Sequence, residues 1–237
     1  AIPEDPETLS VEQATDDLAG ILEHLGIERT MVAGHSMGVQ VCLEFFNRHA
    51  ELAKALILMC GSHSRPLSTF QGTALGETLL PYIRSAVDWA PGFAREVVAR
   101  LAPSRLSFNV ATATEINGNR ITRSDFQPYL DHIGKMDPQT FLAMLSKVAE
   151  HDARGVLANV TVPTLVVAGA RDGFTPVTLS EEMADELPIG ELLMLPEGTH
   201  TAPLEFPETV NAALVRFFSQ HSLVAPVETL SQASLQA

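Results

Sequence analysis

The chain has 237 residues, of which 46% are hydrophobic and 19% are charged, and its formal net charge is −14. These apolar residues suffice for a buried core, so we expect one large domain or one domain with an insertion. The negative charge disfavours nucleic acid and anionic membranes as partners, because both repel an acidic surface. No apolar run in the sequence approaches the length of a membrane span and no signal peptide is visible, which favours a cytoplasmic location.

Helical and strand patterns alternate after an irregular lead-in at residues 1–9. This first section contains a helix from Ser10 to Gly26, a strand at 30–33, a helix at 39–49 and a strand at 55–60. Ser10 and Gln13 fit a capping box at the start of the first helix, and Gly26 is typical of a helix end. The second strand is a continuous apolar run closed by Gly61, which suits a strand buried on both faces.

The middle of the chain has a different pattern. Residues 66–158 contain helical segments without a convincing strand, at 78–102 (broken near Pro91), 124–133 and 137–150. The alternation then returns with a strand at 164–168, a helix at 176–187, a strand at 192–195 and a helix at 207–221. The middle section is therefore predicted to be an all-helical cap inserted between two strands of one sheet.

The predicted fold class is α/β, a mostly parallel sheet with flanking helices and this cap insertion. We assign residues 1–65 and 159–221 to the core, 66–158 to the cap and 222–237 to a loose tail. Cys42 and Cys60 are too few for a disulfide framework, and both lie among apolar residues, so we expect buried reduced thiols. No cluster of His and Cys has metal-ligand spacing, so no metal site is predicted.

The segment Gly34-His35-Ser36-Met37-Gly38 matches the nucleophile elbow G-x-S-x-G. It follows a predicted strand and opens a predicted helix, so Ser36 is expected to project from a sharp, strained turn. We expect that a side chain at either glycine would collide with the neighbouring strand or helix. The Met37 N–H is the predicted oxyanion donor, helped by the helix dipole, and His35 is expected to be structural.

A serine nucleophile needs a base, and the base needs a carboxylate to orient it. Asp172 follows one predicted strand and His200 follows the next, which is the chain order Ser, acid, His. Both loops should open at the carboxyl edge of the sheet, where Ser36 also lies and where open α/β sheets bind ligands. Glu197 and Glu205 stay open as alternative acids because both are close to His200 in sequence.

Other residues are candidates for the substrate pocket. His63 follows the strand after the elbow helix and is in a position to line the pocket. Several cap aromatics either face the site, which would favour an apolar substrate, or pack the core of the cap itself: Tyr82, Trp89, Phe93, Phe108, Tyr129 and Phe141.

Together these motifs resemble the α/β-hydrolase family. The resemblance rests on the elbow, the acid motif at 169–176, the Gly198-Thr199-His200 segment and the helical insertion, and it accounts for nearly the whole chain. It implies Ser36 as nucleophile, His200 as base and Asp172 as the orienting acid, with no cofactor or metal and an acyl-enzyme that water resolves. Relatives resembling dehalogenases and epoxide hydrolases have Asp in place of this serine.

The serine therefore favours a hydrolase of the serine esterase type, acting on esters, thioesters, lactones or C–C bonds beside a carbonyl. The expected partner is a small apolar acyl substrate. An acyltransferase or a perhydrolase on the same triad is the alternative among enzymes. A non-catalytic, hydrolase-like binding module is the alternative from another class.

The sequence departs from the family at its beginning. Members normally carry three or four strands before the elbow strand, and a His-Gly loop there supplies the second oxyanion N–H. Residues 1–9 are too few for those strands, and no His-Gly occurs in the chain. We expect the elbow strand to have a hydrophobic edge prone to association. A fragment whose N-terminal segment lies elsewhere is favoured over a chain that pairs with a second copy or a weakly active form.

Overall fold

The computed structural model describes residues 8–64 and 75–224. Most of the predicted lead-in and tail, and the start of the predicted cap, lie outside these residues. The strands are β1 Thr30–His35, β2 Ala53–Met59, β3 Thr164–Gly169 and β4 Gly190–Leu195. The helices are α1 Val11–His24, α2 Gly38–His49, α3 Leu75–Trp89, α4 Pro91–Leu101, α5 Arg105–Thr114, α6 Arg123–Lys135, α7 Pro138–Glu150, α8 Arg154–Leu157, α9 Val177–Glu186, α10 Ala202–Glu205 and α11 Pro207–Gln220.

Helix α1 begins and ends close to the predicted residues. The Ser10 hydroxyl accepts the Gln13 backbone N–H at 3.0 Å, which satisfies one free donor of the first turn. The Gln13 side chain donates to Asp17 at 2.8 Å and does not return to the Ser10 backbone, so only half of the predicted capping box forms. Gly26 adopts a φ of +67° just after the helix, a conformation that favours glycine.

The four strands form one parallel sheet in the order β1-β2-β3-β4. This arrangement confirms the predicted α/β fold class. All six residues of the central strand β3 are buried, as expected for an apolar run covered on both faces. Strand β1 lies at one edge and has a single neighbour, β2, among the described strands, and Ala33 in its middle is exposed.

Alternate residues of the strands pack into two apolar clusters, one on each face of the sheet. Leu56 and Leu58 of β2 join side chains from α1, α2 and α9. Leu165 and Val167 of β3 join side chains from α11 on the other face. The period of two along each strand therefore places helices on both sides of the sheet.

The described helices between β2 and β3 include a small apolar cluster of their own, formed by Ile116, Ile121, Phe126 and Leu130. Helix α8 differs, because its Val156 and Leu157 belong to the cluster on the sheet, and Ala153 N–H donates to His63 O at 2.9 Å. Helix α8, which falls within the predicted cap, thus packs on the sheet, and the boundary at residue 158 stays a prediction. Helix α5 was not separately predicted, and none of its side chains is fully buried.

Candidate active site

The predicted elbow forms a tight turn between β1 and α2. Ser36 has a φ of +56°, which is uncommon for a residue other than glycine, and its N–H extends the sheet by donating to Met59 O at 3.0 Å. A Cβ at Gly34 would lie 2.1 Å from Gly38 O, so the turn requires glycine there. The expectation for Gly38 is wrong: a Cβ there would meet nothing within 4 Å among the described residues, because this position faces open space.

The Met37 N–H lies at the N-terminus of α2, next to the serine. Met37 is the N-cap residue, and α2 begins at Gly38. Within residues 8–64 and 75–224, no acceptor binds the Met37 N–H. A free backbone donor at a helix N-terminus suits a developing oxyanion.

The loop after β3 holds a buried aspartate. Asp172 is 8% exposed, and one of its carboxylate oxygens accepts the backbone N–H groups of Phe174 and Thr175 at 2.8 Å each. The other oxygen accepts the Thr175 hydroxyl at 2.8 Å. Because its lone pairs are occupied by fixed donors, the carboxylate keeps one orientation.

His200, in the loop after β4, joins the aspartate to the serine. Its Nδ1 lies 2.9 Å from Asp172 Oδ2, and its Nε2 lies 2.9 Å from Ser36 Oγ. Since an ionised carboxylate only accepts, Nδ1–H donates to Asp172 and Nε2 is left to accept the serine hydroxyl. The structure thus brings together the three predicted residues, and this arrangement can move a proton from Ser36 Oγ to His200.

His35 binds the main chain of His200. Its Nε2–H donates to His200 O at 2.7 Å, and the two rings lie 5.0 Å apart. Burial lowers the pKa of His35 below its usual value, against the opposing effect of this hydrogen bond. His35 therefore contacts both the main chain and the ring of His200, and its structural role stays a prediction.

Phe174 is a contact that the sequence did not reveal. Its ring lies 4.8 Å from the His200 ring at an interplanar angle of 40°. A single aromatic residue two positions after Asp172 has no periodicity to mark it. The only signal that the sequence offers is that Phe174 lies in the same loop as Asp172, two residues after it.

The alternative acids and the pocket candidate have other polar partners in the structure. Glu197 is exposed and lies 3.9 Å from Arg120, while Glu205 binds the main chain and hydroxyl of Thr199. Among the hydrogen bonds of the described residues, none joins either carboxylate to the His200 ring, whereas Asp172 binds its Nδ1. The His63 ring hydrogen-bonds with Ser64 and Glu182, and its place in the substrate pocket stays a prediction.

The cap aromatics divide into two groups. Phe108 and Tyr129 each contact Phe126, a member of the apolar cluster of the cap. Trp89, Phe93 and Tyr82 are 88%, 73% and 72% exposed, so they do not fill that cluster. The hypothesis that these aromatics pack the cap core therefore holds for Phe108, whereas Tyr129 and Phe141 are 46% and 37% exposed.

The two cysteines are free and buried. Burial raises the pKa of each thiol to about 12, so neither is an activated nucleophile. The Cys60 thiol lies 3.7 Å from Thr199 O, beside the histidine loop.

None of the helices in the described parts of the chain combines the length and apolarity needed to cross a membrane.

Comparisons with known proteins agree with this architecture. A protein of Caulobacter sp. (strain K31) that is named as a candidate carbamate hydrolase, RutD, is 26% identical over 218 residues, covering 91% of this chain and 74% of that protein. A Mycobacterium tuberculosis protein named as a candidate non-heme bromoperoxidase, BpoC, is 28% identical over 220 residues, covering 91% of this chain and 78% of that protein. The structure of a thermophilic esterase from Thermogutta terrifontis matches with a TM-score of 0.70 and 23% identity, covering 90% of this chain and 73% of that one.

The family resemblance seen in the motifs is confirmed by a separate comparison. The sequence model of the alpha/beta hydrolase fold matches residues 2–207, which include the elbow, the aspartate loop and the histidine loop. The parallel sheet has the arrangement that this match implies. The chain therefore belongs to the alpha/beta hydrolase fold family.

Proposed function

We propose that this protein is a serine hydrolase that cleaves ester or related acyl bonds through Ser36, His200 and Asp172. The observation that carries the proposal is the unbroken hydrogen-bond chain, with 2.9 Å from Ser36 Oγ to His200 Nε2 and 2.9 Å from His200 Nδ1 to Asp172 Oδ2. The relatives support hydrolase activity at the level of the family.

The proposed reaction begins with attack of Ser36 Oγ on the substrate carbonyl carbon, while His200 Nε2 takes the hydroxyl proton. The carbonyl π-bond breaks to give an oxyanion, which the Met37 N–H stabilises. Collapse of the tetrahedral intermediate expels the leaving group, which takes the proton from His200. Water then attacks the acyl-enzyme by the same two steps, and Ser36 is restored.

Asp172 has an orienting role in this proposal. Its carboxylate fixes the tautomer of His200 with the proton on Nδ1 and stabilises the imidazolium that forms when Nε2 takes the second proton. The donors from Phe174 and Thr175 keep the carboxylate in the plane that reaches Nδ1. Substitution of Asp172 by Asn would therefore allow the wrong tautomer without removing the side chain.

The substrate class is proposed from the chemistry of the nucleophile and from the names of the relatives. A carbamate has the same reacting carbonyl as an ester, so the relative named for carbamate hydrolysis is consistent with acyl chemistry at Ser36. Hydrolysis of a panel of p-nitrophenyl esters of increasing chain length, with one aryl carbamate, would define the preferred acyl group. Faster hydrolysis of the longer esters would indicate an apolar acyl pocket.

Perhydrolysis is the second candidate, and the relatives named for bromoperoxidase activity favour it. In that reaction hydrogen peroxide replaces water as the nucleophile that attacks the acyl-enzyme, so the products are a peracid and free Ser36. A peracid-trapping assay with hydrogen peroxide and a simple carboxylic acid separates this activity from ester hydrolysis.

A fluorophosphonate probe tests the proposed function, because it reacts preferentially with an activated serine. We expect labelling at Ser36 that disappears in Ser36→Ala and falls by at least about 100-fold in His200→Ala. Ser146→Ala is the control, because the Ser146 hydroxyl donates to Leu142 O at 2.8 Å within α7. Labelling that persists in Ser36→Ala would overturn the proposal, and a folded protein that never labels would favour a non-catalytic binding module.

A further inference from the structure

The loop that carries His200 is attached to a buried carboxylate that takes no direct part in the proposed reaction. Glu205 lies in α10 and is 4% exposed. Its carboxylate accepts four hydrogen bonds, from the Asn117 N–H at 2.9 Å, the Thr199 N–H at 2.9 Å, the Thr201 hydroxyl at 2.8 Å and the Thr199 hydroxyl. Three of these donors flank His200 on both sides, and the fourth belongs to the cap.

A buried carboxylate usually needs either a cation or a full set of hydrogen bonds. All four donors to Glu205 are uncharged, so hydrogen bonds alone stabilise this carboxylate. Hydrogen bonds to an ionised carboxylate are about twice as strong as neutral ones. The hydrogen bonds that stabilise the Glu205 carboxylate therefore also hold Thr199 and Thr201 in place. A displacement of either residue would break a bond to this buried charge.

The two oxygens of the carboxylate accept different backbone N–H groups. Oε2 accepts Thr199 N–H, and Oε1 accepts Asn117 N–H together with both threonine hydroxyls. Neither backbone N–H can reverse its role, so a glutamine in place of Glu205 would set its own N–H against one of them in either orientation. Only a carboxylate satisfies both oxygen positions.

Asn117 adds a second link between the cap and this loop. Its side-chain amide donates to Glu197 O at 3.1 Å, three residues before His200. The segment between α5 and α6 is thus attached twice to the region around His200. The Asn117 N–H binds Glu205, and the Asn117 side chain binds Glu197 O. The position of the cap at this point and the position of the proposed base are set by the same carboxylate.

We infer that Glu205 is a positioning residue for the proposed reaction, which fixes His200 through Thr199 and Thr201 and couples that loop to the cap through Asn117. The inference rests on the proposed function, because positioning of His200 matters for catalysis only if His200 is the base. A displacement of about 1 Å in such a group lowers a rate by about 100-fold.

The kinetic test compares Glu205→Gln with Glu44→Gln on a p-nitrophenyl ester. Glu44 is a matched control, since it is also buried, at 8% exposure, and its carboxylate binds His151 and Asn47 and not the histidine loop. We expect Glu205→Gln to lower kcat by about 10- to 100-fold with KM within about threefold of wild type. Glu44→Gln should keep the wild-type kcat even if its melting temperature falls.

An NMR experiment tests the same inference without substrate. In protein labelled with ¹⁵N-histidine, the ring resonances of His200 should shift or split in Glu205→Gln and stay unchanged in Glu44→Gln. If wild-type protein neither labels with the fluorophosphonate nor turns over substrate, the proposed function fails, and the NMR result still decides whether Glu205 positions His200.

A second variant covers the case in which Glu205→Gln does not fold. Thr201→Val removes one hydroxyl and keeps the shape of the side chain, so we expect kcat to fall by about three- to tenfold with a shifted His200 ring resonance. Wild-type kcat and unchanged His200 resonances in Thr201→Val and in any folded Glu205→Gln would overturn the inference.

Discussion

Two residues at the ends of neighbouring strands hold backbone conformations that side chains rarely adopt. Ser36 after β1 has a φ of +56°, and Cys60 after β2 has a φ of +46°. Each such residue costs about 1–3 kcal/mol, which the surrounding packing must offset. Gly34 and the buried strands around it supply that packing, so small changes at the elbow should have large effects on the proposed nucleophile.

The contrast between the two elbow glycines gives the first prediction at this scale. Gly34→Ala places a methyl group against Gly38 O and the Cys42 sulfur, so we expect a loss of about 3 kcal/mol in the free energy of unfolding. Gly38→Ala meets no atom of the described residues within 4 Å and should be neutral or stabilise by up to about 1 kcal/mol. Urea unfolding of both variants checks this, and equal destabilisation of the two would contradict it.

The second prediction at this scale concerns the pH dependence of stability. Burial lowers the pKa of His35 in the folded protein, so the unfolded state binds the proton more readily. The contribution of neutral His35 to the free energy of unfolding is complete above its unfolded-state pKa of about 6.5. It declines as the pH falls from there toward the lower pKa of His35 in the folded protein. Unfolding free energies at pH 7.5 and 5.5 should therefore differ less in His35→Asn than in wild type.

His24→Asn is the control for this pH experiment, because His24 is exposed in the last turn of α1. We expect its loss of stability between the two pH values to match that of wild type. Equal slopes in His35→Asn and His24→Asn would show that His35 does not contribute to the acid sensitivity.

At the scale of elements, much of the sheet could be predicted from the sequence because its strands are continuous apolar runs that stop at glycine or polar residues. The strand predicted at 164–168 occupies Thr164–Gly169, and the one predicted at 30–33 occupies Thr30–His35. The additional residues bond to neighbouring strands, which the local pattern cannot reveal. Helix α5 was missed because its apolar side chains do not define one buried face.

The same reasoning applies to the candidate site. Ser36, Asp172 and His200 could be predicted because each follows a strand, and parallel strands bring their carboxyl ends to one edge. Phe174 and the binding role of Glu205 could not, since they depend on how two loops and the cap meet in space. The open space beside Gly38 is likewise a property of the packed elbow and not of the G-x-S-x-G pattern.

Asp137 gives a prediction at the scale of elements, because it caps α7 and also pairs with α4. Its carboxylate accepts the Thr140 N–H and hydroxyl at 3.0 Å each and binds Arg95, whose side chain is 58% exposed. We expect Asp137→Ala to lower the free energy of unfolding by about 1–2 kcal/mol, because the cap is lost. Arg95→Ala should lower it by less than about 1 kcal/mol, because the exposed Arg95 end of the ion pair is screened by water.

Thermal and urea unfolding of these variants, with Asp137→Asn added, separates the two contributions. Asparagine can still accept the Thr140 N–H, so Asp137→Asn should resemble Arg95→Ala. If Arg95→Ala proves as destabilising as Asp137→Ala, then the ion pair and not the cap is the main contribution.

At the scale of the whole molecule, the sheet has a well-covered centre and two edge strands, β1 and β4, among the described strands. Strand β3 is buried throughout, whereas β1 has one neighbour among the described strands and an exposed Ala33. In a parallel pair, about half of the N–H groups of an edge strand point away from its neighbour. We propose that this edge is where a further strand, from a longer form of the protein or from a second copy, would pair.

Hydrogen exchange on the isolated chain tests that proposal. At low micromolar concentration, the outward amides of β1 should exchange at least about 100-fold faster than those of β3. If second copies pair at the edge, protection of β1 should rise with protein concentration while that of β3 stays constant. Amides of β1 protected as strongly as those of β3 at the lowest concentration, with no dependence on concentration, would contradict an open edge.

The insertion of the cap between β2 and β3 has a consequence for the order of folding. Strands β1 and β2 are joined by a short helical connection, as are β3 and β4, but pairing of β2 with β3 must close residues 60–163. Loop-closure entropy rises by only about 0.6 kcal/mol for each doubling of length, so the insertion affects the folding rate more than the final stability. Ser36 belongs to the first pair of strands, and Asp172 and His200 to the second. The proposed triad therefore comes into existence only when the two halves join, and regained activity during refolding would report that long-range step.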